Sequence, residues 1–100
     1  MRDEFERMNF EEKVSYLMER ENRIELPDDL AKEGVAVLAQ AGEIEYAAAM
    51  ARDRGMIDEA ISILVDAAKA PSPAVKLVAD ALCLSVQQCL MAVRAVRAGP

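Results

Sequence analysis

The chain has 100 residues, 53% hydrophobic but only 4% aromatic, with a net charge of −6 and a pI near 4.6. That length supports one domain with a single modest core. The acidic balance argues against a phosphate backbone as partner, which needs clustered Lys and Arg, and the lack of histidine and of any CxxC argues against a zinc or thioredoxin-type centre.

Residues 1–30 hold ten Asp and Glu against five Lys and Arg, so the N-terminal part is the acidic one. Residues 1–8 are charged and expected to fray. Asn9 followed by Glu12 makes a capping box that opens a first helix, with Phe10, Val14, Leu17 and Met18 striped along it until the charged run 19–23. Pro27 suits the first position of a second helix, and Asp28 and Asp29 suit its positive first turn. Its stripe is Leu30, Gly34, Val37, Leu38 and Ala41. Gly34 costs about 1 kcal/mol against alanine in mid-helix, which points to a close crossing there. Gly42 ends this helix.

A third helix is expected over 43–54, stopped by Gly55. A fourth carries Asp58 and Glu59 in its first turn, buries Ile57, Ala60, Ile61, Leu64, Ala67 and Ala68, and halts at Pro71. Ser72 as cap and Pro73 at the first position start a fifth helix, which can run unbroken to about Ala98. With eighteen alanines and no strand candidate, the fold class is all-α, a five-helix bundle in one domain.

Residues 41–74 resemble one tetratricopeptide repeat, a helix–turn–helix unit of about 34 residues. Ile44 stands at a position that family fills with a large residue, and Ala47 and Ala48 at its Leu and Gly positions. Gly55 occupies the turn, and Asp58-Glu59-Ala60-Ile61 matches the start of the second helix. Leu64 takes the usual aromatic position, Ala67 the second small one, and Pro71 and Pro73 flank Ser72. Ala51 departs from a customary tyrosine. No second copy is readable, which favours a single hairpin inside a bundle. The resemblance implies a protein or peptide ligand on the first helix, on the side turned away from the second: Glu45, Ala49, Arg52 and Asp53. Helical spacing independently puts these four on one face, opposite Ile44, Ala47, Ala48 and Ala51. Arg52 could clamp a carboxylate of the partner.

Chemistry finds little support. Glu11/Glu12, Asp28/Asp29 and Asp58/Glu59 each sit in a first helical turn, where they complement the dipole. Ser15, Ser62, Ser72 and Ser85 have no histidine to activate them. Tyr16 and Tyr46 read as amphipathic packing residues, and Met8, Met18, Met50, Met56 and Met91 as core filler. Arg94 and Arg97 are the one basic spot, suited to a helix C-terminus. Cys83 and Cys89, six apart on the expected fifth helix, lie on different sides of it and cannot bridge. No catalytic, cofactor or metal site is assigned.

The fifth helix carries Val75, Val78, Ala79, Leu82, Val86, Cys89 and Val93 on one side and Leu77, Ala81, Leu84, Met91 and Ala95 on others. A helix apolar nearly all round needs cover on more than one face. This predicts a two-fold homodimer through the C-terminal helix, with Leu77, Ala81, Leu84 and Met91 at the contact. The uncharged run 81–93 is too short for a membrane span, and free thiols without a signal peptide suggest the reducing cytoplasm. The expected function is a non-catalytic protein–protein interaction or assembly module. The alternatives are a small acidic regulator docking on an enzyme or transcription complex, and an enzyme subunit.

Overall fold

Alanine at 47, 48 and 51 lets several helices approach one short one closely, and the architecture is arranged around that approach. In the computed structural model, which describes residues 2–69 and 72–99, the regular structure is entirely helical. The elements are α1 (Arg2–Arg7), α2 (Phe10–Leu17), α3 (Arg20–Glu25), α4 (Asp28–Gln40), α5 (Ile44–Asp53), α6 (Ile57–Ala68), α7 (Ser72–Leu82) and α8 (Val86–Ala98). α5 packs against α3, α4, α6 and α7, and its Ala47, Ala48 and Ala51 are fully buried. α2 lies on α4, while α8 lies at the other end on α6 and α7. Gly34 does what its cost suggests. A Cβ there would come within 3.0 Å of Met50 and 3.1 Å of Leu26.

Three helix ends share one device. A residue in the left-handed region is followed by an N–H that reaches back five residues, the pattern that satisfies orphan carbonyls at a C-terminus. Gly42 (φ 83°) precedes Glu43 N–H to Leu38 O at 2.9 Å, and Gly55 (φ 66°) precedes Met56 N–H to Ala51 O at 2.8 Å. Cys83 (φ 59°) precedes Leu84 N–H to Ala79 O at 2.9 Å. The third of these breaks the expected fifth helix in two. Immediately after it, Ser85 accepts from the Gln88 N–H at 3.0 Å while the Gln88 side chain accepts from the Ser85 N–H at 2.9 Å, a capping box that starts α8 afresh. α7 and α8 consequently meet at 99°. The chain turns although neither glycine nor proline marks the corner. The expected stop at Pro71 and cap by the Ser72 side chain lie outside the described residues.

The N-terminal part is more ordered than its charge suggests. Residues 2–7 form α1 rather than fraying, because Phe5 is fully buried, its ring 5.9 Å from that of Tyr16 and under the Lys13 ammonium at 5.1 Å. The Asn9–Glu12 capping box forms as expected. The charged run continues as α3, which buries no residue of its own. Two arginines hold it. Arg23 donates to the carbonyls of Leu17 (2.8 Å) and Met18 (3.0 Å) at the end of α2 and lies over the Tyr46 ring. Arg54, at the end of α5, donates to the carbonyls of Arg23, Ile24 and Leu26 and to Asp28 Oδ1. Each cation meets the partial negative charge of a helix C-terminus.

Candidate docking site

α5 presents the four residues expected to bind a partner, but not as one open face. α7 packs along α5, so Glu45 and Ala49 are half-buried in a shallow cleft that also includes Arg23, Tyr46, Leu77, Asp80 and Ala81. Arg52 and Asp53 are exposed beyond it and pair with each other at 2.9 Å. Arg52 also donates to the Cys83 sulfur at the α7–α8 corner. The hydrogen bond to Asp53, with Cys83 beside it, raises the Arg52 pKa above its ordinary value. α7 thus stands where an extended ligand on α5 would lie.

On the other side of Arg52 lies a second cleft, of about 290 Å³, between the α5–α6 turn, α6 and the α7–α8 corner. Ala51, Gly55 and Ala60 line it together with Met56, Ile61, Leu64, Leu82 and Ala92, and Ile57 and Leu84 also border it. Among the described residues, Arg52 is the charged one that lines it. Ile57 corrects an expectation: it is 70% exposed rather than buried, the most exposed large apolar side chain among the described residues. The reason is position along the helix. Ile57 shares a helical face with the buried Leu64, seven residues on, but it is the first residue of α6 and stands at the α5–α6 turn, at the end of the packed length. The missed signal was the width of the apolar arc on α6: Ile57, Ala60, Ile61, Ile63, Leu64, Val65, Ala67 and Ala68 are too many for one buried stripe.

α8 continues this apolar surface. Cys89 and Val93 face inward, while Val86, Leu90, Met91 and Val96 are each 41–60% exposed. Val86 had been expected on the buried side with Val75 and Val78. Val86 still shares a helical face with the buried Cys89 and Val93, but the break at Cys83 makes it the first residue of α8, at the corner, where it is 41% exposed. Met91 and Met18 are likewise exposed rather than core filler, whereas Met50 is 1% exposed in the core. The four residues expected at a self-association contact are divided by the same break. Leu77 and Ala81 lie on the α5–α7 cleft, Leu84 on the apolar cleft, and Met91 on the outer side of α8.

Comparison with protein-family models, curated proteins and solved structures finds no significant match. The likeness of α5–α6 to a tetratricopeptide hairpin accordingly stands on the residue pattern of 41–74.

Reactive chemistry is sparse around either cleft. Burial pushes the Cys89 thiol up, away from the thiolate a nucleophile needs. Cys83 is exposed and both cysteines are free. Among the described residues no three Asp, Glu or Cys side chains converge as metal ligands would, and no single helix is long and apolar enough to cross a membrane. What the apolar cleft offers is shape: a slot with small residues along it and two large aliphatic side chains at its border. Such a slot accepts a bulky side chain from another helix, as a knob enters a hole.

Proposed function

We propose that this protein is a non-catalytic interaction module that docks its partner in the apolar cleft between the α5–α6 turn and the α7–α8 corner. The observation that carries the reading is the exposure of Ile57 and Leu84 beside an apolar slot whose lining holds one charge. Monomeric proteins rarely leave contiguous apolar surface beyond a few hundred Å² uncovered, and larger patches mark contact sites. Small residues along the slot favour a helical partner over an extended peptide, since they leave room for whole side chains. The expected α5 face (Glu45, Ala49, Arg52, Asp53) contributes Arg52 to this site, at its rim.

A second reading, an acidic regulator that docks through residues 1–30, draws on the ten Asp and Glu there. A photo-reactive residue placed in turn at Ile57, Ala49 and Glu21 separates the alternatives in cells. Discrete protein adducts from position 57 support the cleft. Adducts from position 49 alone move the site to the α5–α7 side, adducts from position 21 alone support the acidic regulator, and none from any position overturns the interaction module.

A further inference from the structure

We infer that the occupant of the apolar cleft is α8 of a second copy of this chain, in an antiparallel two-fold arrangement; the inference rests on the docking reading above. Three observations converge on it.

The first is where the exposed apolar side chains are. Of the ten large ones among the described residues, five fall between Leu84 and Val96 and a sixth, Ile57, borders the cleft beside them. Knob and slot therefore lie side by side on one molecule. A two-fold contact presents the same patch from both partners, so both needs are met at once. Met91 supplies the knob. It is 60% exposed and shares a helical face with Gln88 and Ala95, the 3-and-4 spacing of a packed helix seam. Ala92, next to it, already lines the cleft.

The second is charge. Residues 1–80 hold eighteen Asp and Glu against ten Lys and Arg, whereas residues 81–100 hold no acid and two arginines. Two copies of a −6 chain repel over most of their surfaces, and the C-terminal segment is where they can meet without acid facing acid. Direction follows from the same charges. α8 is about 20 Å long at 1.5 Å per residue. Paired antiparallel, its Arg94 and Arg97 end approaches the partner's α7–α8 corner, where Asp53 is held through Arg52 against Cys83. Parallel pairing would set arginine against arginine. Among the described residues, neither arginine forms an ion pair with a carboxylate.

The third is area. A stable specific contact buries about 800 Å² per partner, roughly an eighth of this chain's 6212 Å². Ile57, Leu84, Val86, Leu90, Met91 and Val96, each 40–70% exposed, supply the apolar part of such a contact.

Sedimentation equilibrium of the full chain tests the inference, with Ile57→Glu and Met91→Glu as variants. Both side chains are mostly exposed, so the helical circular dichroism signal should not change. The expected result is a dimer for the unaltered chain, with the dissociation constant raised at least tenfold by either variant and by the Arg94→Glu, Arg97→Glu double variant. A strict monomer at several hundred micromolar overturns the second copy as occupant, and so does a dimer that all three variants leave intact. The docking reading is checked separately by the dye 1-anilinonaphthalene-8-sulfonate on monomeric material. Dye binding lost in Ile57→Glu retains the cleft as a docking site even if the dimer fails; no dye binding overturns the cleft itself.

Discussion

The two ends of the molecule handle their surfaces in opposite ways. Residues 2–40 are dense in charge yet internally satisfied: Phe5, Leu17 and Leu26 are almost wholly buried, and Arg23 and Arg54 cap the helix ends around them. Residues 72–99 are poor in charge and leave Leu77, Leu84, Val86, Leu90, Met91 and Val96 exposed. An ion pair within that segment, Lys76 with Asp80, lies on the solvated surface and contributes little. The lesson is that order and apolar content separate here. The more polar end is the more self-contained, because stability comes from buried contacts and satisfied backbone groups rather than from hydrophobic residues as such.

The contrast can be broken from the N-terminal side first. Phe5→Ala removes a fully buried side chain that packs α1 against Tyr16 of α2, and a buried aromatic cut to alanine costs about 3–5 kcal/mol. The denaturation midpoint should fall steeply; a change near zero would mean that α1 frays as its charge suggests. Arg54→Ala should cost about 2 kcal/mol, since it orphans three carbonyls around the end of α3 from a charged donor. Asp28→Ala should cost far less, because that carboxylate is fully exposed and its ion pair is screened. Equal losses for Arg54 and Asp28 would make the ion pair, not the carbonyl capping, the source of the effect.

The C-terminal side gives smaller effects. Ser85→Ala should cost about 1 kcal/mol by removing half of the capping box. Because that box competes with helix continuation through 83–85, the substitution should also increase the helicity of the corner. Amide exchange at Cys83 and Leu84 reads this directly, and unaltered protection there would show that the Cys83 turn stands without the cap.

Much of the helix map was legible in the sequence, and the departures share a physical cause. Asn9 with Glu12, Gly42 and Gly55 announce their roles through side-chain chemistry or the freedom of glycine, and each does what the residue type implies. The corner at 83–85 was hidden because its left-handed residue is a cysteine, and because Ser85-x-x-Gln88 is also compatible with a continuous helix. α1 was hidden because one aromatic residue in a run of charges decides it, which no count of charge reports. For the candidate site, the wide apolar arc on α6 and the apolar surround of the C-terminal segment were both present in the pattern. Which portion stays exposed depends on how far along α6 the packing reaches and on the 99° turn between α7 and α8, neither of which periodicity encodes. The expected partner face on α5 was legible as a face, but the return of α7 across it was not.

The most direct test of the contrast is the thermal midpoint of the chain as a function of its own concentration. If the apolar C-terminal surface is covered by a second copy, folding and association are linked, and the midpoint rises with concentration. Over a hundredfold range from about 5 to 500 µM, that linkage corresponds to a stabilisation of up to about 2.7 kcal/mol. Ile57→Glu with Met91→Glu should abolish the dependence while leaving the low-concentration midpoint where it was. A midpoint flat with concentration in the unaltered chain, or a double variant that melts lower at every concentration, would contradict the claim that this surface serves contact rather than the fold.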